Sequence, residues 1–308
     1  MEVCQNTVEK EFRLTGPGLH TGCTVTVTVR PAPEDFGIAF RRTDRTNIIT
    51  QPALADRVGE TSRGTTLGTG RQTVATIEHL MSALHGMGVD NALVELDGGE
   101  VPILDGSARP WLLQLIRVGI HKQRTPRHTF TIGEPLHFEY EPTGSVFDVE
   151  PCDHFAVHCV IDFPNSVIGR QEADMNDLSE YAASIAPCRT FVFLHEIEPL
   201  LHLNLIKGGS LDNALVFVNK ELSPRQLKRL AKTFNKDVNH FRVHDGVLNT
   251  TDPYFPNEPA RHKLLDFVGD IRLVGCTLNA KFNIYKPGHK ANNAFARYIS
   301  DYIKKNKN

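Results

Sequence analysis

Nowhere in the chain do apolar residues run for the ~18 positions that a membrane-spanning helix requires, so no stable membrane insertion is expected. The amino terminus, MEVCQNTVEKEF, lacks the basic segment and apolar core of an export signal. Neither charge is in clear excess: 34 basic residues stand against 36 acidic ones, which offers nucleic acid no global attraction. Cysteine is sparse and scattered. Cys4, Cys23, Cys152, Cys159, Cys188 and Cys276 make no CxxC pair and no compact secreted framework, which points to reduced thiols and a cytoplasmic protein. The 308 residues, 40% hydrophobic, suffice for two domains with real cores.

The most informative stretch is ARHKLLDFVGDIRLVG. At 3.6 residues per turn, His262, Asp266 and Asp270 fall in one row of a helix, with Leu264, Val268 and Ile271 on the opposite side. An imidazole and a carboxylate one turn apart can reach one cation together, and such nitrogen and oxygen donors suit zinc. Two donors do not hold a catalytic metal, and the row is equally satisfied by a solvated helix face with a local His/Asp contact.

Upstream, GPGLHTG is a glycine-rich turn with His20 at its tip, ahead of a half-buried strand alternating from Thr24 to Val29. Residues 40–66 are polar and read as a surface excursion or a small extra sheet. In RQTVATIEHLMSALHGMGVDN, Val74, Ile77, Leu80, Met81 and Leu84 make a helical stripe terminated near Gly86 and Gly88. His79 points away from that stripe, among Ala75, Thr76, Ser82 and Ala83, a face small enough for a partner helix or a ligand to come close. Glu78 beside a metal-binding His79 would be placed to take a proton from water, although a lone EH pair is a weak signal. In ILDGSA, Asp105 and Ser107 read as turn and cap residues. GIHKQRTPRH (119–128) is the best domain boundary, which gives domains 1–124 and 125–308.

The halves resemble each other. VTVRPAPEDFGIAF (27–40) and FDVEPCDHFAVHCVIDF (147–163) each read as strand, proline turn, strand, and NALVEL at 91 recurs as NALVFV at 213. A duplication would set the His79 helix against the His262 helix at a junction, where ligand sites are favoured. The leucine-rich run 194–206 fits either core or an apolar channel. SPRQLKRLAKTFNK (223–236) is an amphipathic helix with Ser223 as N-cap and Pro224 at N1, and Asp245-Gly246 marks a hairpin turn. His289, after Gly288 at the mouth of the last helix, gains interest only as a partner to other polar groups.

Taken together and in order, EHLMSALHGMGVDN, ILDGSA, CRTF, GGSLDNA, RHKLLDFVGD and GHKANN resemble the zinc-dependent UDP-3-O-acyl-N-acetylglucosamine deacetylases of lipid A biosynthesis in Gram-negative bacteria. The resemblance covers nearly the whole chain. It departs at about 221–258, longer here than is usual between the NALV strand and the HKLLD helix. It implies an α+β fold of two similar domains, each a small mainly antiparallel sheet with two helices, packed as a β-α-α-β sandwich with helices inward. It also implies His79, His262 and Asp266 as ligands of one Zn2+, with Fe2+ as the alternative ion. Glu78 would then be the general base, Thr190 the oxyanion donor, and His289, held protonated by Asp270, the general acid. Lys263 would pair with the nucleotide diphosphate, Phe191 would pack on the sugar, and an insert near 192–209 would hold the acyl chain of the UDP-sugar substrate. Some members are fused to a 3-hydroxyacyl carrier-protein dehydratase, and the lysine-rich KKNKN tail is a candidate linker to one. The oligomeric state is left open. The rival reading is a sugar-nucleotide- or lipid-binding protein without turnover, but such a protein needs no base, oxyanion donor and acid together.

Overall fold

The computed structural model describes residues 3–47, 49–197, 207–234, 236–248 and 252–306. The first half begins with β1 (Cys4–Val8), β2 (Phe12–Pro17), β3 (Thr24–Pro31), β4 (Ile38–Arg42) and β5 (Thr50–Pro52). A hairpin of β6 (Val58–Glu60) and β7 (Thr66–Leu67) then leads to helix α1 (Glu78–Gly86), β8 (Ala92–Leu96) and helix α2 (Arg109–Val118). The alternation read in β3 holds: Val25, Val27 and Val29 are buried while the intervening threonines are not. The boundary stretch carries β9 (Ile120–Pro126), which pairs antiparallel with β1.

The second half continues with β10 (Thr129–Thr131), β11 (Leu136–Tyr140), β12 (Ser145–Glu150), β13 (Phe155–Phe163) and β14 (Gly169–Met175). A short helix α3 (Tyr181–Ser184) precedes β15 (Phe191–Phe193) and β16 (Leu215–Phe217). Helix α4 (Pro224–Thr233) follows, then the hairpin β17 (Val243–His244) and β18 (Val247–Leu248). Helix α5 (Glu258–Ile271), β19 (Thr277–Tyr285) and helix α6 (His289–Asn306) close the described chain. Ser223 caps α4 through a reciprocal bond with Gln226, and Asp245 and Gly246 both take positive φ in the β17–β18 turn, as their types favour.

Duplication is written in the sheet order. The first sheet runs β2-β3-β8-β4-β5 and the second runs β11-β12-β19-β13-β14. Each has one parallel pairing in the same place, β4 with β8 and β13 with β19, and antiparallel pairings elsewhere along that order. The match of 27–40 to 147–163 therefore aligns equivalent strands, β3–β4 with β12–β13. The NALV match does not. NALVEL forms the central β8, whose counterpart is β19, whereas Leu215–Phe217 belong to a separate four-stranded sheet. A short apolar run is what any buried strand requires, so its identity carried no positional meaning.

Helices α1 and α5 meet at the centre, α5 backs onto β13 and β14, and α2 packs on both α1 and β2, so the layers run sheet, helices, helices, sheet. The small face around His79 is what permits this. Ser82 Oγ donates to the Leu265 carbonyl at 2.8 Å, and a Cβ at Gly269 would stand only 2.1 Å from the Glu78 carbonyl oxygen. The polar row of α5 is thus buried against α1 rather than solvated. Helix α1 also begins later than the apolar stripe suggests: Val74 pairs with Leu67, and Thr76, at φ 60°, stands in the left-handed region, so regular helix starts at Glu78. Among the described residues no helix is long and apolar enough to cross a membrane.

Candidate metal centre

The α1–α5 contact brings donors from both halves to one point. His79 is the second residue of α1, and His262 and Asp266 stand one turn apart on α5. Asp266 Oδ1 lies 3.6 Å from His79 Nε2 and 3.5 Å from His262 Nε2, and the two imidazoles meet edge-on. All three side chains are buried. Asp266 Oδ1 accepts no hydrogen bond, a condition that is costly for a carboxylate oxygen out of reach of water. His262 Nδ1 donates to the Cys188 carbonyl at 3.0 Å, and burial pushes its pKa down to about 3. The ring is therefore neutral, with its Nε2 lone pair facing the same point. Two imidazole nitrogens and an orphaned carboxylate oxygen, all within 4.8 Å of one another, fit a divalent cation.

Three further charged groups surround the donors. Glu78, at the first position of α1, is 3% exposed, and its Oε2 accepts the Thr65 backbone N–H at 2.9 Å. Burial raises its pKa against the opposing pull of the His289 and His79 imidazoles. His289, the first residue of α6, donates from Nδ1 to Asp270 Oδ2 at 3.0 Å. Burial alone would lower its pKa, but the carboxylates of Asp270 and Asp266 overcome this and raise it to about 9. Lys263 places Nζ 2.9 Å from Asp266 Oδ2 and 5.7 Å from the centre of the Phe191 ring. Burial likewise opposes its charge, and the Asp266 carboxylate restores it. The Asp266 carboxyl in turn stays well below its ordinary pKa, because the cationic Lys263 and His289 outweigh the cost of its burial.

Thr190 and Phe191 enter from the start of β15, whose backbone is fixed by Thr190 N–H donating to Gly106 O at 2.8 Å and Leu215 N–H donating to Thr190 O at 2.8 Å. Together with the groups above they line a cavity of about 620 Å³. Its apolar wall includes Val192, Ile197, Val216 and Phe234, next to the leucine-rich run; residues 198–206 of that run lie outside the described residues. An adjoining groove of about 380 Å³ shares Arg63, Lys263 and His289 and adds Lys286 and Lys290.

Every residue that the family resemblance assigned to the site thus lines or directly supports this cavity. Asp270 does so from behind His289, and His20 forms part of the wall, its Nε2 3.3 Å from the Arg63 carbonyl. Asp105 and Ser107 keep their structural reading: the Ser107 N–H donates to Asp105 Oδ1 at 2.9 Å in the turn before α2. Two contributors were missed. Thr65, in the segment 40–66, donates its hydroxyl to Asp270 Oδ1 at 2.6 Å and its amide to Glu78. Glu100 is 1% exposed and accepts from His20 N and from Thr21 N and Oγ1, thereby anchoring the GLHTG turn. A lone threonine in a polar stretch carries no signal of such a role, whereas Glu100 stands out only for following two glycines.

A duplicated α+β sandwich with two histidines and one carboxylate at its seam, a set that could hold a metal ion, and a second buried carboxylate beside it is the arrangement of a metalloenzyme. More specifically, the chain belongs to the LpxC family, described as UDP-3-O-acyl N-acetylglycosamine deacetylase, whose profile matches residues 5–240 and 241–301. Similar proteins include the bifunctional enzyme LpxC/FabZ of Chlorobaculum tepidum, 40% identical over 100% of this chain and 66% of that protein. The bifunctional LpxC/FabZ of Porphyromonas gingivalis is 42% identical over 98% of this chain and 65% of that protein. The UDP-3-O-acyl-N-acetylglucosamine deacetylase of Myxococcus xanthus is 39% identical, with 96% of this chain and 86% of that protein covered. The chain spans just under two thirds of the length of the two bifunctional relatives.

Proposed function

We propose that this chain is a cytoplasmic zinc-dependent amidohydrolase of lipid A biosynthesis. It removes the N-acetyl group of UDP-3-O-(3-hydroxyacyl)-N-acetylglucosamine and gives acetate and the free amine. The observation that carries this reading is the orphaned Asp266 oxygen between two imidazoles, flanked by one buried carboxylate, Glu78, and one cationic imidazole, His289. His79, His262 and Asp266 would hold a zinc ion, which would supply Lewis acidity toward water and an amide carbonyl.

The chain's own groups do the rest. Glu78 accepts the proton of the attacking water, a task suited to a carboxylate whose basicity burial has raised. The Thr190 hydroxyl, on the cavity wall, donates to the oxyanion that forms as the carbonyl is attacked. His289 delivers its Nε2 proton to the departing amine, while Nδ1 stays bonded to Asp270. Lys263, with the cations of the adjoining groove, receives the diphosphate, Phe191 packs on the sugar, and the apolar wall takes the acyl chain.

Acetate release from the acylated UDP-sugar, measured before chelation, after it and after zinc is restored, tests the reading. Turnover is expected to vanish with chelation and to return with zinc. A folded, metal-loaded protein without turnover would overturn it in favour of a binding protein.

A further inference from the structure

The long segment between β16 and α5 has a charge of its own. Residues 220–242 hold seven basic side chains (Lys220, Arg225, Lys228, Arg229, Lys232, Lys236, Arg242) and two acidic ones (Glu221, Asp237), a net +5. The whole chain is −2, so the remainder is −7. The asymmetry is concentrated on α4, where Arg225, Lys228, Arg229 and Lys232 stand at i, i+3, i+4 and i+7 and so form one row. All four are exposed, and Arg225, Lys228 and Lys232 make no ion pair among the described residues.

The opposite face of the same helix is apolar and committed. Leu227, Leu230 and Ala231 pack into a small core with Leu194, Ile197 and Val216, and Phe234, at the C-cap of α4, lines the 620 Å³ cavity. One helix therefore serves as a wall of the cavity on one side and a row of cations on the other. With that apolar face turned inward, the exposed row can meet an anionic lipid surface by electrostatic attraction alone, where each cation strengthens attachment roughly five-fold.

We propose that the basic face of α4 docks this protein on anionic phospholipid bilayers and brings the apolar cavity next to the membrane surface. The occupant follows from charge complementarity between the +5 segment and anionic headgroups, and from the continuity of this helix with an apolar cavity. The benefit to catalysis rests on the acyl-chain reading of that cavity; the docking itself does not.

Co-sedimentation with lipid vesicles tests the docking without requiring turnover. The full chain is expected to pellet with vesicles of phosphatidylethanolamine and phosphatidylglycerol at low salt and to stay in the supernatant with phosphatidylcholine vesicles. Raising the salt is expected to release it, because screening weakens exposed charges. The triple substitution Arg225→Glu, Lys228→Glu, Lys232→Glu should lower the apparent affinity roughly 100-fold or more. It should leave turnover of a short-acyl, freely soluble substrate unchanged. The milder Lys228→Gln, Lys232→Gln variant, with the melting temperature of the parent, guards against misfolding and should weaken binding roughly 25-fold. Soluble glycerophosphate at millimolar concentration should not displace the protein, which separates a surface from a single phosphate site. Equal pelleting with neutral and anionic vesicles, no pelleting with either, or a folded variant that binds like the parent would each overturn the proposal. Docking that persists in a protein without deacetylase activity would leave it standing.

Discussion

Asp270 accepts three hydrogen bonds in a buried position: from Thr65 Oγ1 at 2.6 Å, from Asn292 Nδ2 at 2.9 Å and from His289 Nδ1 at 3.0 Å. The carboxylate so held faces the His289 imidazole and favours its cationic form. For a base and an acid with these roles, kcat/KM should be bell-shaped in pH. The acid limb reports Glu78, which must lose its proton, and lies above the ordinary carboxylate range because burial raises that pKa. The basic limb reports His289, which must keep its proton, so activity falls as pH rises through its raised pKa of about 9. Asp270→Asn removes the leading force that raises this pKa and leaves only Asp266 and Glu78 to oppose burial, which lowers it. The basic limb is therefore expected to move down by about 1 unit or more, with the acid limb in place. A pH–rate profile of the variant checks this, and an unmoved basic limb would remove His289 as the acid. His262, Asp266 and Asp270 were legible in the sequence because they share a helical row, whereas Glu78, His79 and His289 were weak signals that only the family resemblance joined to that row. Thr65 was not legible, since a hydroxyl that supports two charged groups from a turn has no period and no partner nearby in sequence.

Between elements, the site depends on how closely α1 approaches α5. Two helix backbones can come within contact distance only where side chains are missing, and Gly269 provides the gap opposite Glu78 and Ser82. A methyl group at 269 would stand 2.1 Å from the Glu78 carbonyl oxygen and 3.0 Å from the Ser82 nitrogen, both backbone atoms that cannot swing aside. Gly269→Ala is therefore expected to push α1 from α5, destabilising the protein by about 1–3 kcal/mol, as overpacked cores do. It should also weaken metal binding, because His79 moves with α1 while His262 and Asp266 stay on α5. Thermal unfolding and a zinc titration measure the two effects, and a variant with parental stability and metal affinity would show that the seam is not held by this contact. The tolerance of the His79 face for a close neighbour was legible in its run of small residues. That α5 is the neighbour, and that its polar row is consequently buried, was not, because amphipathic spacing does not distinguish a solvent-facing polar row from one enclosed at an interface.

At the scale of the molecule, two sheets of identical strand order enclose one pair of meeting helices, and a His79-His262-Asp266 site belongs wholly to neither half. The duplication was legible at 27–40 and 147–163, where strand, proline turn and strand recur in the same order. It was obscured elsewhere by the segment from β15 to β18, which the second half carries between its sheet and its helix and the first half replaces with the β6–β7 hairpin. A cation that joins α1 to α5 binds the folded seam and has no equivalent in the unfolded chain, so it must stabilise the native state by mass action. At a free zinc concentration ~100 times Kd the gain is about 2.7 kcal/mol. For a chain of this size that corresponds to roughly 5 °C in Tm, at about 2 °C per kcal/mol. The chelated protein should melt lower by about this amount and recover fully with zinc, and the shift should grow with the logarithm of zinc concentration. His79→Ala removes the single donor supplied by the first half, so its Tm should no longer respond to zinc at concentrations that stabilise the parent. A zinc-dependent Tm of parental size in that variant would confine the ion to α5 and dissolve the link between the halves.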